Sequence, residues 1–181
     1  MTRTGSRPTP PAVDLGGLRG WLSGRLPDTW FTGPPEVVVD RDEVLVVGDL
    51  ADPSVAEDAA ETELLAARRG RVTGFREQTR GERMAIAQEL EAQTGRAVSW
   101  GVTIGADRVL FTHQAVPVMT RLRQPERQVL DTLVAGGVAR SRADALAWCV
   151  RLVGQNSEEW LGDLTAALTA VEEVKAAGPT V

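Results

Sequence analysis

Three arginines, Arg76, Arg80 and Arg83, stand four and three residues apart, a spacing that puts side chains on one face of a helix. Guanidinium groups in such an array can grip phosphate or carboxylate oxygens in a two-pronged fashion. The first chemistry on offer is therefore recognition of an anionic partner. The plainer alternative is a solvated face on which these arginines pair with Glu77 and Glu82. Other groupings promise less. His113, the single histidine, ends a strand-like run beside Thr112, where a histidine is far more often a surface or edge residue than a general base. Asp40, Asp42 and Glu43 lack the further oxygen ligands and the fixed glycine of a calcium loop, and read as turn residues. The glycine pairs Gly70/Gly74 and Gly101/Gly105 lack the strand-to-helix setting of a phosphate loop. No His/Cys cluster has zinc spacing. Trp30-Phe31, set between turn signals, is a base-stacking platform in a minority of cases and a plug over one end of a core in most. The expectation is a protein without a catalytic constellation, metal site or cofactor.

Charge is segregated along the chain. The net charge is −5, which argues against a protein that coats nucleic acid indiscriminately. From Glu36 to Ala66 there are ten acids and one arginine, and from Arg68 to Met84 six arginines and two glutamates. From Met119 to Arg151 there are six arginines and three acids, and the tail from Gln155 has five acids and one lysine. Two positive segments thus lie inside an acidic protein, a pattern compatible with site-specific DNA binding because only the docking face must neutralise phosphates. Nineteen arginines against one lysine fit a GC-rich coding bias, so arginine number alone carries little weight.

The chain length of 181 residues and an apolar fraction of 43% suit one ordinary domain or two small ones. No apolar run approaches the ~18 residues that span a bilayer, and no apolar stretch follows the basic residues at the start. A cytoplasmic protein is expected. The lone Cys149 falls on an apolar helix stripe and reads as packing.

The elements that must position these residues follow from periodicity. Residues 1–13 are expected to be a disordered tail. Leu15, Leu18, Trp21, Leu22 and Leu26 suit a short amphipathic helix interrupted by glycines. Val37 to Leu50 holds two β-branched runs about Asp40-Arg41-Asp42, a tight hairpin. Ser54 with Glu57 has the form of a capping box, opening a helix to about Arg69, with Gly70 to Gly74 as a break. A second helix is expected from about Phe75 to Thr94, closed by Gly95. Ala97 to His113 is a second hairpin, with Val98, Trp100, Val102 and Ile104 alternating. Residues 14–115 then read as an α+β domain of order β-β-α-α-β-β, its sheet antiparallel or mixed, with helices on one face.

The rest reads as a strand-helix-helix module, 116–154, and a final amphipathic helix, 155–178. Pro125-Glu126 starts the first helix and Val129, Leu130, Leu133 and Val134 recur along it. Gly136-Gly137 offers the positive φ that ends a helix cheaply. Ser141 with Asp144 opens the next helix, striped by Leu146, Cys149, Val150 and Val153. A break is expected at Gly154-Gln155-Asn156. Ser157 can cap the last helix, with Trp160, Leu161, Leu164, Leu168 and Val171 on one face.

The order of elements in VMTRLRQPERQVLDTLVAGGVARSRADALAWCVRLV, Val118 to Val153, resembles a ribbon-helix-helix DNA-binding domain of the Arc/MetJ type. The turn and helix in VARSRADALAWCVRLV carry most of that likeness. In the family, two chains pair their strands into a ribbon that enters the major groove, and the second helices form the dimer core. The resemblance implies a homodimer that binds double-stranded DNA. It implies a strand over Val118 to Arg123, with Val118, Thr120 and Leu122 toward the core and Met119, Arg121 and Arg123 on the groove face. It also implies that the backbone N–H groups of Ser141 and Arg142 anchor a phosphate. Here Arg123 and Gln124 stand between the strand's last core residue and Pro125, where the family usually has the proline at once.

The leading expectation is a dimeric, sequence-specific transcriptional regulator whose N-terminal domain senses a ligand or binds a partner. Two alternatives stand beside it. One is a dimerising interaction module that grips a protein or RNA through Arg76–Arg83. The other is an enzyme with a pocket in the N-terminal sheet lined by Trp30, Trp100 and the arginines. The segment from Val116 could also extend the N-terminal sheet, which would undo the ribbon.

Overall fold

The computed structural model describes residues 13–56, 58–112 and 114–177. The expected tail, Glu57 of the expected capping box and His113 lie wholly or almost wholly outside them. The chain divides into two compact units, one up to Pro117 and one from Val118 onward.

The first unit is mixed α/β, as its periodicity predicts. Helix α1 is Leu15–Arg25, followed by strands β1, Glu36–Val39, and β2, Glu43–Asp49. Helices α2, Glu61–Gln78, and α3, Arg80–Thr94, lead to β3, Ala97–Ile104, and β4, Asp107–Leu110. The sheet order is β1-β2-β3-β4. Each hairpin is antiparallel, and β2 and β3 run parallel because α2 and α3 carry the chain back between them. The sheet is therefore mixed.

Register explains the core. Val44 faces Val98 and Val46 faces Trp100 across the parallel pair, so these side chains share one face. Leu18 and Leu22 of α1 and Ile86 and Leu90 of α3 join Val44, Val46 and Trp100 in one buried cluster. Val72 of α2 packs with Val102 and Ile104, so the three helices of this unit lie on that face. On the other face, Arg108 of β4 reaches Glu36 of β1 at 2.6 Å, and Ser99 and Val47 are buried. A bidentate pair between Arg25 and Glu89, at 3.0 and 2.8 Å, ties α1 to α3.

Trp30 is a plug, as expected. It is buried and meets Trp100, Phe75 and Phe31 edge-on. Phe31 lies so close over Gly48 that a Cβ there would come within 2.3 Å of its ring. The acids of the first hairpin are turn residues too: the Asp40 carboxylate accepts the N–H groups of Asp42 and Glu43.

Three local expectations need correction. Helix α1 is not interrupted by its glycines. Helix α2 runs unbroken through Gly70 and Gly74, whose missing side chains face open space; isolated glycines weaken a helix by about 1 kcal/mol without ending it. The break comes at Thr79 instead, with φ −91° and ψ 1°. Its hydroxyl donates to the Phe75 carbonyl and accepts from the Arg83 guanidinium. Nor does Ser54 cap α2, which begins after Ala60 without a side-chain cap.

The β3–β4 turn needs glycine for two reasons. Gly105 has φ +58°, and a Cβ there would lie 2.5 Å from the Arg68 guanidinium. Left-handed backbone costs a residue with a side chain roughly 1–2 kcal/mol. Gly105→Ala is therefore expected to lower unfolding stability by at least about 1–2 kcal/mol and to loosen Arg68. Chemical denaturation checks this; an unchanged midpoint would mean that the turn is not constrained.

The second unit is helical. It contains α4, Gln124–Ala135, α5, Arg142–Asn156, and α6, Glu158–Ala177. Pro125 stands in the first turn of α4, as read. Only Gly137 of the glycine pair takes positive φ, +75°; Gly136 stays right-handed. Helix α5 continues through Gly154, so the break to α6 falls at Ser157. The core is small: Leu130, Ala139 and Ala145 are buried, with Leu122, Leu133, Val134, Leu146 and Cys149 around them.

Residues 118–123 form no strand within one chain. Val118 and Thr120, expected toward the core, are exposed; a ribbon strand has no pairing partner in a single chain. The sheet of the first unit takes in none of these residues, so the alternative of a fifth strand does not hold. No described helix is long and apolar enough to cross a membrane.

Candidate functional site

The structure separates the sequence-predicted site residues into two places. The first is a cleft of about 700 Å³ beside α2, the start of α3 and the β3–β4 hairpin. Arg76 sits near the end of α2 and Arg80 and Arg83 on α3, so the three do not share one helix face as expected. The bend at Thr79 brings them together differently. Arg76 and Arg80 are exposed and line the cleft, whereas Arg83 is buried.

Arg83 is therefore not a docking residue. Its guanidinium donates to the Thr79 hydroxyl at 2.9 Å and the Arg76 carbonyl at 2.7 Å. It also lies over the Phe111 ring, 4.8 Å from the centroid, with Arg76 at 5.8 Å. Burial, then the charges of Arg76 and Arg80, push its pKa down. Among the described residues no carboxylate pairs with Arg76, Arg80 or Arg83. The expected pairing with Glu77 and Glu82 does not form. Trp30 and Trp100, which the enzyme alternative placed in one pocket with the arginines, lie in the core and do not line this cleft. The residues that sequence reasoning missed here are Arg69 and Phe111; only the tertiary approach of α2 to the hairpin brings them in.

The second place is the start of the helical unit. Met119, 93% exposed, and Arg121 and Arg123 project from the irregular segment before α4, whose last residue, Arg123, is extended. Leu122 between the two arginines turns inward against Leu130 and its neighbours. The Arg127 guanidinium holds the Leu122 carbonyl at 2.8 Å, which fixes that alternation where chain meets helix.

Helix α5 opens as its sequence dictates. The Ser141 hydroxyl accepts the Asp144 N–H at 3.2 Å, and the Asp144 carboxylate accepts the Arg140 N–H at 3.0 Å. The Arg142 side chain is committed elsewhere, to a bidentate pair with Asp131 of α4 at 2.6 Å. What Ser141 and Arg142 offer an anion is thus their backbone N–H groups at a helix N-terminus. The Asp144 carboxylate sits at the same helix end.

These pairs make stability depend on pH. The Arg142 hydrogen bonds hold the Asp131 carboxyl below its ordinary 3.8, and the Arg140 N–H does the same for Asp144. A carboxyl whose pKa is lower folded than unfolded stabilises the fold fully above the unfolded value. That contribution is lost as pH falls through the folded value. Thermal midpoints should therefore fall as pH drops below 3.8, and Asp131→Asn should flatten that dependence. An identical acid profile in the variant would show that the pair contributes nothing.

Comparison with known proteins covers both units. Residues 16–110 match the family model described as Rv1265-like protein, N-terminal domain. Residues 123–175 match the Mb1296 C-terminal domain. The chain is 57% identical over 166 residues to Mb1296 of Mycobacterium bovis, covering 92% of this chain and 72% of the relative. Rv1265 and MT1303, from two strains of Mycobacterium tuberculosis, match with the same identity and coverage. No solved structure matches. With one domain model spanning the sheet unit and another the helical unit, the chain belongs to the Rv1265/Mb1296 family.

Proposed function

We propose that this chain is a homodimeric, sequence-specific DNA-binding protein, a transcriptional regulator whose helical unit works as a ribbon-helix-helix module. The observation that carries the reading is the alternation at Arg121-Leu122-Arg123. Leu122 packs half-buried against the core of the helix pair while both arginines and Met119 stand in solvent. A strand that pairs with a second copy would have to divide its side chains this way. Arginine can then pair bidentately with guanine, and methionine can contact a thymine methyl group.

The exposed apolar surface supports the dimer. Val129, Val150 and Val153 on α4 and α5 are each more than half exposed. So are Trp160, Leu168 and Val174 on α6. Large apolar side chains exposed in such number are what an interface covers, and a second copy of the same unit is the occupant that a ribbon demands. The sheet unit would sense a ligand or bind a partner. The alternative grip on protein or RNA through Arg76–Arg83 loses one of its three arginines to burial.

The test is DNA binding of the full chain across salt concentrations, with competitor DNA present. Phosphate-driven binding weakens steeply with added salt, and a specific complex outlasts competitor. Salt-insensitive binding, or none at low salt, would contradict the proposal.

A further inference from the structure

The arginine cleft of the sheet unit has a cationic rim and an apolar floor. Arg68, Arg69, Arg76, Arg80 and Arg108 line it. Two of the five are neutralised: Arg68 by Asp52 and Arg108 by Glu36, each at 2.6 Å. Asp107 also lies in the lining, and after the hydrogen bond from Asp52 its charge helps to raise the Arg68 pKa. Arg69, Arg76 and Arg80 have no ion pair among the described residues, with Glu77 the one further acid in the lining. Arg83 adds a buried cation behind Phe111. Three exposed guanidinium groups facing one concavity without an ion pair offer charge-assisted hydrogen bonds to an anion.

Beneath the rim lie Val72, Ile104 and Phe111. Val72 and Ile104 are buried in the smaller apolar cluster of the unit, and Phe111 packs against it. A volume of about 700 Å³ falls among small-molecule sites, which combine apolar walls with a few convergent polar groups. A duplex, whose major groove alone is about 12 Å wide, is too large to enter a cleft of this volume.

We propose that this cleft binds a small organic anion. Its flat or apolar body rests on Val72, Ile104 and Phe111, and its phosphate or carboxylate groups are held by Arg69, Arg76 and Arg80. The proposal is independent of DNA binding by the helical unit.

Calorimetric titration of the full chain with 4-nitrophenyl phosphate tests it, with inorganic phosphate and 4-nitrophenol as partial probes. One saturable site per chain is expected for the aryl phosphate, at least tenfold weaker for phosphate alone and absent for the neutral phenol. Arg76→Gln and Arg80→Gln should each weaken binding about tenfold, the loss of one charge-assisted contact. Both side chains are exposed, so the fold should survive, which circular dichroism verifies. Arg19→Gln, at an exposed position of α1 away from the cleft, should change nothing. No saturable heat up to millimolar probe would overturn the proposal. So would binding that both cleft variants retain, or that Arg19→Gln weakens equally. Displacement of the probe by duplex DNA from the wild type and from an Arg121→Ala/Arg123→Ala variant alike would reassign the cleft to nucleic acid.

Discussion

Replacing Arg121 and Arg123 together with alanine is expected to abolish specific DNA binding while the protein stays folded and dimeric. Both side chains stand in solvent beside an inward Leu122, so neither supports the core. A bidentate arginine–guanine pair discriminates by about 1–3 kcal/mol. A dimer loses four such side chains at once. Affinity for an operator-length duplex should therefore fall at least about a hundredfold, even if only some of them reach bases. The salt slope should also shrink, because fewer phosphates and counterions are engaged. Anisotropy titrations read the affinity, and sedimentation reads the dimer. If the double variant unfolds, these positions carry core load. If it binds DNA as well as the wild type, the groove face lies elsewhere.

The second large effect is on stability. Leu130→Ala removes the largest of the three buried apolar side chains of the helical unit, the others being Ala139 and Ala145. Truncating a buried leucine costs roughly 2–5 kcal/mol, against a total of about 5–15 kcal/mol for an ordinary domain. A unit with so small a core should lose its helices and its dimer together. The sheet unit has its own core about Val44, Ile86 and Leu90 and should keep its structure. Leu146→Ala, at a half-buried position on the rim of the same cluster, should cost less. Far-ultraviolet circular dichroism with size-exclusion chromatography separates these outcomes. A Leu130→Ala protein as stable and dimeric as the wild type would place the organising core outside the helix pair.

Much of the fold was legible because strand and helix periods differ. Val98, Trp100, Val102 and Ile104 alternate, and their register against Val44 and Val46 builds the face that the helices cover. The Ser141–Asp144 helix start and the proline at the start of α4 were local signals and act locally. Glycine misled where tertiary packing decided the matter. Gly70 and Gly74 suggested a break, but α2 continues and Thr79 takes the bend. That displacement of one junction moved Arg83 from a presumed docking face into the interior and left Arg76 and Arg80 on the cleft. Phe111 and Arg69 could not have been assigned to that cleft from spacing, since residues more than forty positions apart meet there only through the approach of helix and hairpin. The segment at 118–123 is a different case. Its alternation is visible in sequence, but its hydrogen-bond partners would belong to another chain.

The most direct measurement is the solution mass of the intact protein by sedimentation, without DNA and then with a short duplex at low salt. Dimerisation through the ribbon predicts twice the chain mass of 19.4 kDa in the absence of DNA and one dimer per duplex in its presence. A monomer at micromolar concentration would contradict it, because half a ribbon cannot enter a groove. The apolar faces of α5 and α6 would then need another occupant.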